Sequence, residues 1–172
     1  SGKDIIILDH HSIDASDNPA IVVNNQLSDK ITDKAMTGVG ITYKFTKLLD
    51  KYYGVNYADD YLDLVALGMI GDRADTVNLQ TRYLILKGLE QIRNKVNKNK
   101  LISVLVNAQM YSMNNKITIN GIGFYVCPLM NSMIRLGEYE DKCYMFEALC
   151  NSDEMVERKV RGKGVVNMSI QE

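Results

Sequence analysis

Two short, continuous apolar runs open the chain. Ile5–Leu8 is bounded by polar residues on both sides, which is typical of a parallel strand buried on both faces. Ala20–Val23 is a second, largely β-branched run that leads into Asn24 and Asn25, as strands that end in turn-forming residues do. The pattern therefore predicts two strands close together near the amino terminus.

A helical period follows the two strands. Apolar positions 45, 48, 49 and 52 recur at the spacing of one helical face, and Gly54 stands where a helix stop is expected. Residues 61–70 are apolar on nearly all sides of a helix, and Asp59 and Asp60 precede them. We therefore predict a second helix that these two carboxylates cap and that is buried on most sides.

The rest of the chain is predicted to be mainly helical. Residues 79–96 carry one apolar stripe, and 101–110 fit both a helix and a strand, of which we favour the helix. Residues 116–120 alternate apolar and polar positions and predict a short strand. Two further helices are predicted over 129–136 and 141–149, followed by an unstructured tail rich in glycine and lysine over 158–164.

Composition narrows the class of protein. The chain has 172 residues, of which 46% are hydrophobic, and a net charge of -1. Such a chain is long enough to bury a core and too apolar for a disordered protein. No segment approaches the roughly 20 apolar residues of a membrane span, so we expect a soluble protein without a membrane partner. A sequence pI of about 6.1 excludes a basic surface overall, so any phosphate binding requires a focused site.

The cysteines carry little functional signal. Cys127, Cys143 and Cys150 form an odd set whose spacing matches neither a zinc ribbon nor a redox pair. We interpret them as buried thiols of a protein kept in a reducing compartment, and we expect it to be cytoplasmic.

The strongest chemical feature is the sequence Asp9-His10-His11 at the end of the first predicted strand. Ligands of open α/β sheets gather at the carboxyl ends of strands. Because the chain turns at a strand end, one imidazole can face a metal while its neighbour faces a substrate phosphate. A pair of surface histidines is the simpler interpretation of these two residues taken alone.

A second acidic element favours the metal. Asp72 and Asp75 follow the apolar helix 61–70, and a carboxylate beside a core element is costly unless it is paired or binds a cation. Carboxylate oxygen with imidazole nitrogen suits Mn²⁺, and also Zn²⁺ or Mg²⁺ with less selectivity.

Several segments, in order, resemble the DHH phosphoesterase superfamily and its RecJ branch, the single-stranded-DNA-specific exonucleases. Leu8–Ser12 resembles the DHH signature, and residues 37–45 resemble the glycine-containing helix start that follows it. Residues 62–72 resemble the next acidic motif, and 82–89 the segment after it. Residues 123–136 resemble the Gly-Phe and Gly-Pro-Arg-x-Asn-Ala-Ala-Gly-Arg-Leu stretch. The resemblance covers roughly residues 4–150, and its ordered set of motifs is far more specific than three letters alone.

The resemblance implies roles for individual residues. His10 would be a metal ligand and Asp72 a second one, with Asp75 as the alternative because the spacing after Asp72 departs from the family pattern. His11 would contact the scissile phosphate, and Asp9 would fix a histidine tautomer. The resemblance also places two residues of 123–136 on the substrate: Asn131 and Arg135. An ion pair between helices is an equal alternative for Arg135.

The chain departs from the family at several positions. Leu129 stands where the family has arginine, Cys127 where it has glycine, and 132–134 where it has small residues. The two upstream motifs that supply further metal-binding aspartates have no counterpart here, so the resemblance implies only half of a two-metal site.

Together these features predict an α/β protein, the carboxyl-terminal half of a Rossmann-like DHH domain with a parallel sheet flanked by helices. Residues 1–138 would belong to that domain and 139–172 to the start of a helical connector. The expected function is Mn²⁺- or Mg²⁺-dependent 5′ to 3′ hydrolysis of single-stranded DNA, with this chain alone inactive. The upstream half and a second nucleic-acid-binding domain are the expected partners. The alternatives are a DHH phosphodiesterase acting on oligoribonucleotides or cyclic dinucleotides, and a non-catalytic DNA-binding or scaffold protein.

Basic runs are the remaining candidates for nucleic-acid contact. One surrounds the end of the helix 79–96, and a second lies in the tail. Both could follow a phosphate backbone, but solvated helix ends are the favoured interpretation. The first run comprises Arg93, Lys95, Lys98 and Lys100, and the second Arg158, Lys159, Arg161 and Lys163.

Overall fold

The computed structural model describes residues 2–12, 19–27, 29–31, 33–160 and 162–171. The chain divides into two compact units, Ser1–Glu90 and Gln91–Glu172. The first unit contains, in chain order, β1 (Ile6–Asp9), β2 (Ile21–Asn24), α1 (Gly38–Tyr53), a 3₁₀ turn (Ala58–Tyr61), α2 (Leu62–Gly71) and most of α3 (Leu79–Arg93).

The two strands of the first unit pair in parallel, with Ile6 opposite Ile21 and Asp9 opposite Asn24. This arrangement of a parallel sheet with helices confirms the predicted α/β class. Burial on both faces of β1 is wrong for this chain, because Ile5 is 55% and Ile6 50% exposed. Among the described residues only β2 pairs with β1, and the faces of a sheet are buried only where other elements pack on them.

The core of the first unit is built around α2. Ala66 and Met69 are fully buried there, as is Leu89 of α3. Gly88 allows this close approach, because a Cβ atom at that position would stand 2.1 Å from the carbonyl oxygen of Leu62. The predicted burial of this helix on most sides is confirmed.

The predicted caps of α2 are wrong. The helix starts at Leu62 after a 3₁₀ turn, and no side chain caps it. The Asp59 carboxylate instead accepts hydrogen bonds from the Tyr43 hydroxyl at 2.8 Å and the Lys47 ammonium at 3.0 Å. The stop of α1 is as predicted, since Gly54 adopts a left-handed φ of 69°.

The second unit is helical and ends in a hairpin. Its elements are α4 (Lys100–Gln109), α5 (Ile119–Gly121), a π-helical turn (Ile122–Val126), α6 (Cys127–Leu136), α7 (Tyr139–Leu149), β3 (Met155–Val160) and β4 (Gly164–Ser169). The helix predicted over 101–110 and the two predicted over 129–136 and 141–149 are therefore confirmed. The helix predicted to reach residue 96 ends at Arg93, because Lys95 has a left-handed φ of 56°.

Two predictions fail in this unit. Residues 116–120 form no strand, because the Thr118 hydroxyl accepts a hydrogen bond from the Gly121 amide at 3.0 Å and starts α5. The tail over 158–164 is not unstructured, since β3 and β4 form an antiparallel hairpin that Gly162 and Gly164 turn with positive φ. Arg161 lies outside the described residues. The proposed division at residue 138 stays a prediction.

The cysteines are all free thiols. Cys127 is buried as predicted, and burial raises the pKa of its thiol. Cys143 is half-buried, and Cys150 is exposed, so the prediction of burial is wrong for Cys150. None of the described helices is long and apolar enough to cross a membrane.

Candidate metal centre

His10 and Asp72 meet although they lie in distant parts of the sequence. His10 follows β1, and Asp72 is the residue at which α2 ends. The Nε2 atom of His10 lies 3.4 Å from Oδ2 of Asp72, with 25% and 48% of the two side chains exposed. An imidazole nitrogen and a carboxylate oxygen therefore face each other at a site that solvent reaches.

Asp9 orients the other histidine. Its Oδ1 atom lies 2.7 Å from Nδ1 of His11 and also accepts a hydrogen bond from the His11 backbone amide at 3.4 Å. The hydrogen bond to His11 lowers the pKa of the Asp9 carboxyl, and the same bond raises the pKa of His11. Because Nδ1 is engaged by Asp9, Nε2 is the nitrogen of His11 that remains available to another group.

The three consecutive residues form one cluster. One ligand atom from each of Asp9, His10 and His11 lies within 4.8 Å of the others. The imidazole rings of His10 and His11 have centroids 4.3 Å apart and are tilted by 47°. The end of β1 thus brings the two rings and the Asp9 carboxylate close together.

Side chains at the end of β2 and just after it hold the main chain of the histidine pair. Asn24, which is 4% exposed, donates from Nδ2 to the carbonyl oxygen of His11 at 2.9 Å. Gln26 donates from Nε2 to the carbonyl oxygen of His10 at 3.3 Å. Sequence reasoning identifies residues 24 and 25 only as a strand exit. The polar residues at the end of a parallel strand are the one signal that could have found Asn24.

The start of α1 packs against the centre. A Cβ atom on Gly38 would lie 3.4 Å from Cδ2 of His10, which is an ordinary van der Waals distance and places this residue beside the imidazole. A Cβ atom on Gly40 would lie 2.5 Å from the terminal methyl of Met69. Close packing therefore accounts for Gly40, whereas position 38 has room for a Cβ atom.

The other predicted site residues are not among those that form this cluster. Asp75 accepts a hydrogen bond from the Val77 backbone amide at 2.8 Å in its own turn. Asn131 and Arg135 lie on α6 in the second unit, where both are exposed. Their contact with a substrate stays a prediction.

The chemistry of the donor set fits a divalent ion. Metal ligands bound at about 2.0 to 2.2 Å lie roughly 3.0 to 3.5 Å from one another around the ion, and the 3.4 Å between His10 and Asp72 falls in this range. Imidazole nitrogen together with carboxylate oxygen suits first-row divalent metals such as Mn²⁺.

Curated relatives are similar over most of this chain. A protein of Bacillus subtilis (strain 168), provisionally named the SPbeta prophage-derived single-strand DNA-specific exonuclease YorK, is 40% identical over 94% of this chain and 27% of its own length. Its counterpart from Bacillus phage SPbeta shows the same identity and coverage. The single-stranded-DNA-specific exonuclease RecJ of Thermus thermophilus is 27% identical over 81% of this chain and 20% of its own length. No protein-family model matches the chain.

Solved structures agree with these relatives. The crystal structure of exonuclease RecJ bound to manganese matches 86% of this chain and 37% of that chain with a TM-score of 0.73 and 27% identity. The crystal structure of RecJ from Thermus thermophilus in complex with Mn²⁺ matches 89% of this chain and 22% of that chain with a TM-score of 0.76 and 26% identity. These matches confirm the resemblance to RecJ and the fold class. The chain spans between a fifth and about a quarter of the curated relatives it matches.

Proposed function

We propose that this chain is the Asp-His-His part of a manganese-dependent exonuclease that degrades single-stranded DNA from the 5′ end. The observation that carries the proposal is the 3.4 Å contact between His10 and Asp72. The names of the relatives, which describe single-strand DNA-specific exonucleases, support the substrate class. The Mn²⁺ in the two similar structures supports the metal.

In this proposal His10 and Asp72 hold a divalent ion. A bound ion would lower the pKa of a water molecule and offset charge on the phosphoryl oxygens. His11 contacts the scissile phosphate through Nε2, because Asp9 occupies its Nδ1. The carboxylate of Asp9 favours the protonated form of His11, and a protonated imidazole donates a hydrogen bond to a phosphate oxygen. Asp9 therefore acts on the substrate through His11.

The proposal also assigns this chain only part of the machinery. Two ligands bind a divalent ion more weakly than the three or four of a complete site. The upstream half expected from the resemblance would supply further carboxylates and a second ion, and a further domain would bind nucleic acid. The isolated chain is accordingly proposed to be a poor catalyst.

Metal binding by the chain itself tests the centre. Mn²⁺ is paramagnetic, so titration should broaden the ring proton signals of both histidines in an NMR spectrum. Asp72→Asn should weaken Mn²⁺ binding about 10-fold or more, because it removes a charged ligand. Asp75→Asn tests the alternative ligand, since it removes the same charge three residues away, and in this proposal it should bind Mn²⁺ as the wild type does. Weakening by Asp75→Asn alone would make Asp75 the ligand in place of Asp72, and equal weakening by both variants would show that Asp72 does not hold the ion by itself.

Cleavage of a 5′-labelled single strand tests the function. In a longer protein that includes the upstream half, Mn²⁺ should support cleavage and Asp72→Asn should abolish it. The present chain should cleave far more slowly under the same conditions. Efficient cleavage by the present chain would contradict the proposal that it holds only half of the metal site. Binding of the strand without cleavage by the longer protein would favour a non-catalytic scaffold.

A further inference from the structure

A cavity in the second unit, lined by cationic, amide and apolar side chains, shares no residue with the metal centre. Its volume is about 620 Å³, within the roughly 300 to 1,000 Å³ of small-molecule sites. The end of α3, the following loop, α4 and the loop 110–117 form its walls. Its polar lining comprises Arg93, Lys95, Asn97, Asn107, Asn115 and Lys116, among other residues.

The charge of this cavity is one-sided. Arg93, Lys95 and Lys116 line it, and none of the described lining residues is acidic. In a chain whose net charge is -1, three cations around one concavity are a local departure from the average. A concave wall of a single sign concentrates the electrostatic potential and attracts ions of the opposite sign.

Arg93 is fixed in place by the protein. Its Nε and Nη2 atoms donate to the carbonyl oxygen of Ile117 at 2.9 and 2.7 Å. A guanidinium has five N–H donors, so these two bonds leave the Nη1 donors free for a ligand. The side chain therefore loses little conformational freedom when it binds an anion.

The two lysines lack a protein partner. Neither Lys95 nor Lys116 makes a side-chain hydrogen bond or ion pair with any residue that the structure describes. By contrast, Lys87 pairs with Glu90 at 2.8 Å, and Lys100 pairs with Asp153. The ammonium groups at the cavity are consequently available to a bound anion.

Ordered turns carry the two lysines. Lys95 has a φ of 56°, and the Val96 amide that follows it donates to the Gln91 carbonyl at 3.0 Å. Lys116 follows Asn115, whose φ is 56° and whose amide donates to the Met110 carbonyl at 2.8 Å. Both lysines thus extend from hydrogen-bonded backbone, on two different segments that line the same cavity.

Two amide side chains complement the cations. Asn107 and Asn115 make no side-chain hydrogen bond within the described part of the chain. Asn97 has a structural role instead, since its Nδ2 atom donates to the Asn99 carbonyl and the Ser103 hydroxyl, each at 2.9 Å. A free amide both donates and accepts, as recognition of a base or sugar requires.

We propose that this cavity is a binding subsite for a phosphate-bearing nucleotide unit of single-stranded nucleic acid. That the ligand is a single nucleic-acid strand rests on the proposed function. That it carries phosphate is inferred from the cations and amides that line the cavity. The sequence alone favours a solvated helix end for the basic run around residues 93–100. The structure separates that run into cavity cations, Arg93 and Lys95, and Lys100, which is paired with Asp153.

Binding without metal tests the subsite independently of the metal centre. Fluorescence anisotropy with a labelled oligothymidylate, in EDTA, compares the wild type with Lys95→Gln/Lys116→Gln. Loss of two phosphate contacts should lower the slope of log affinity against log salt by about 1.4, and weaken binding roughly 10- to 30-fold at 0.1 M salt. The matched control, Lys159→Gln/Lys163→Gln, removes two charges from the β3–β4 hairpin and should bind nearly as the wild type does.

Titration with small ligands distinguishes a site for a nucleic-acid strand from a site for free nucleotide or phosphate. Thymidine monophosphate and inorganic phosphate are titrated while the side-chain amide signals of Asn107 and Asn115 are followed by NMR. Shifts that the oligothymidylate also causes, and that vanish in Lys95→Gln/Lys116→Gln, support the strand subsite. Shifts caused by the mononucleotide and not by the oligothymidylate would overturn the proposal of a strand subsite and would indicate a site for free nucleotide.

The remaining outcomes decide against the subsite. Oligothymidylate affinity that is unchanged in the cavity variant, or that falls equally in the hairpin control, would overturn it and leave the proposed function standing. Absence of any binding by the wild type would overturn it as well. Unchanged backbone NMR spectra of the variants exclude unfolding as the cause. Failure of the proposed function would instead appear as loss of Mn²⁺ binding or cleavage, which these titrations do not measure.

Discussion

Asn24, itself buried, donates a part-buried hydrogen bond from the second strand to the carbonyl of the exposed His11. Asn24→Ala should therefore lower the free energy of unfolding by about 1 kcal/mol or more, because this hydrogen bond is lost. Urea unfolding followed by circular dichroism measures the change.

Gln26→Ala is the comparison for Asn24→Ala, since Gln26 also donates to this main chain but is itself exposed. It should cost less than about 1 kcal/mol. Equal stability of Asn24→Ala and the wild type would show that the hydrogen bond does not hold the turn.

At the residue scale, the sequence predicted which side chains come together at the site better than it predicted which residues hold them in place. His10 and Asp72 were paired through the resemblance, and the structure places their side chains in contact, although their role as ligands stays a prediction. Asn24 and Gln26 were missed because they bind backbone carbonyls, which every residue has and no residue pattern marks. The sequence pattern indicates only where the strand ends, and therefore roughly where such side chains can occur.

Among the elements, α2 and α3 depend on Gly88 for their separation. A Cβ atom there would stand 2.1 Å from the Leu62 carbonyl oxygen and 2.5 Å from Cβ of Ala66. Gly88→Ala should destabilise the first unit by about 2 kcal/mol or more, because backbone cannot yield as a side chain can. In an unobstructed helix the same change stabilises by roughly 0.5 to 1 kcal/mol. The sign of the change in thermal unfolding therefore tests the packing.

A second element, α7, is stabilised in a pH-dependent way. Asp141 accepts a hydrogen bond from the Glu138 amide at 3.1 Å and forms an ion pair with Arg158. The Arg158 guanidinium, followed by that amide, lowers the pKa of the Asp141 carboxyl below its usual 3.8. A lowered pKa stabilises the folded state fully above pH 3.8, and this stabilisation is lost as pH falls through the folded pKa.

Urea unfolding at several pH values tests this contribution. Asp141→Asn should be less stable than the wild type near neutral pH, and the difference should shrink as the pH falls below about 4. Glu157→Gln, a change at an exposed carboxylate on β3, should show no such convergence. A difference for Asp141→Asn that is constant with pH would contradict the assignment.

The elements also show what periodicity alone conceals. Residues 158–164 were predicted to be an unstructured tail because glycine and lysine are frequent there, whereas pairing of β3 with β4 orders the strand residues on both sides of the turn. The segment 116–120 alternates like a strand, yet the Thr118 side chain starts a helical turn. A short alternating run is weak evidence for a strand, because a single side-chain hydrogen bond can start a helical turn in its place.

At the scale of the whole molecule, the β1–β2 sheet exposes apolar surface. Ile6 and Ile21 face each other in register and are 50% and 62% exposed. Exposed apolar strands favour association between molecules. Ile6→Thr/Ile21→Thr should therefore reduce concentration-dependent association, as measured by sedimentation equilibrium.

Val165→Thr is the control for that variant, because Val165 is 67% exposed but lies on the hairpin. It should leave association unchanged. If both variants behave like the wild type, the sheet surface does not drive association. The apolar run of β1 predicted a strand correctly, but its burial depends on elements that pack on the sheet, which the run itself cannot specify.

The histidine pair is attached through its carbonyl oxygens, so the groups that fix its backbone are not the imidazoles that would take part in the chemistry. Because Asn24 and Gln26 bind peptide groups, exchanging either imidazole leaves those attachments intact. Replacements at positions 10 and 11 should accordingly preserve the path of the backbone while silencing the chemistry. In the longer nuclease that we propose, such versions are expected to hold an uncut strand for crystallography.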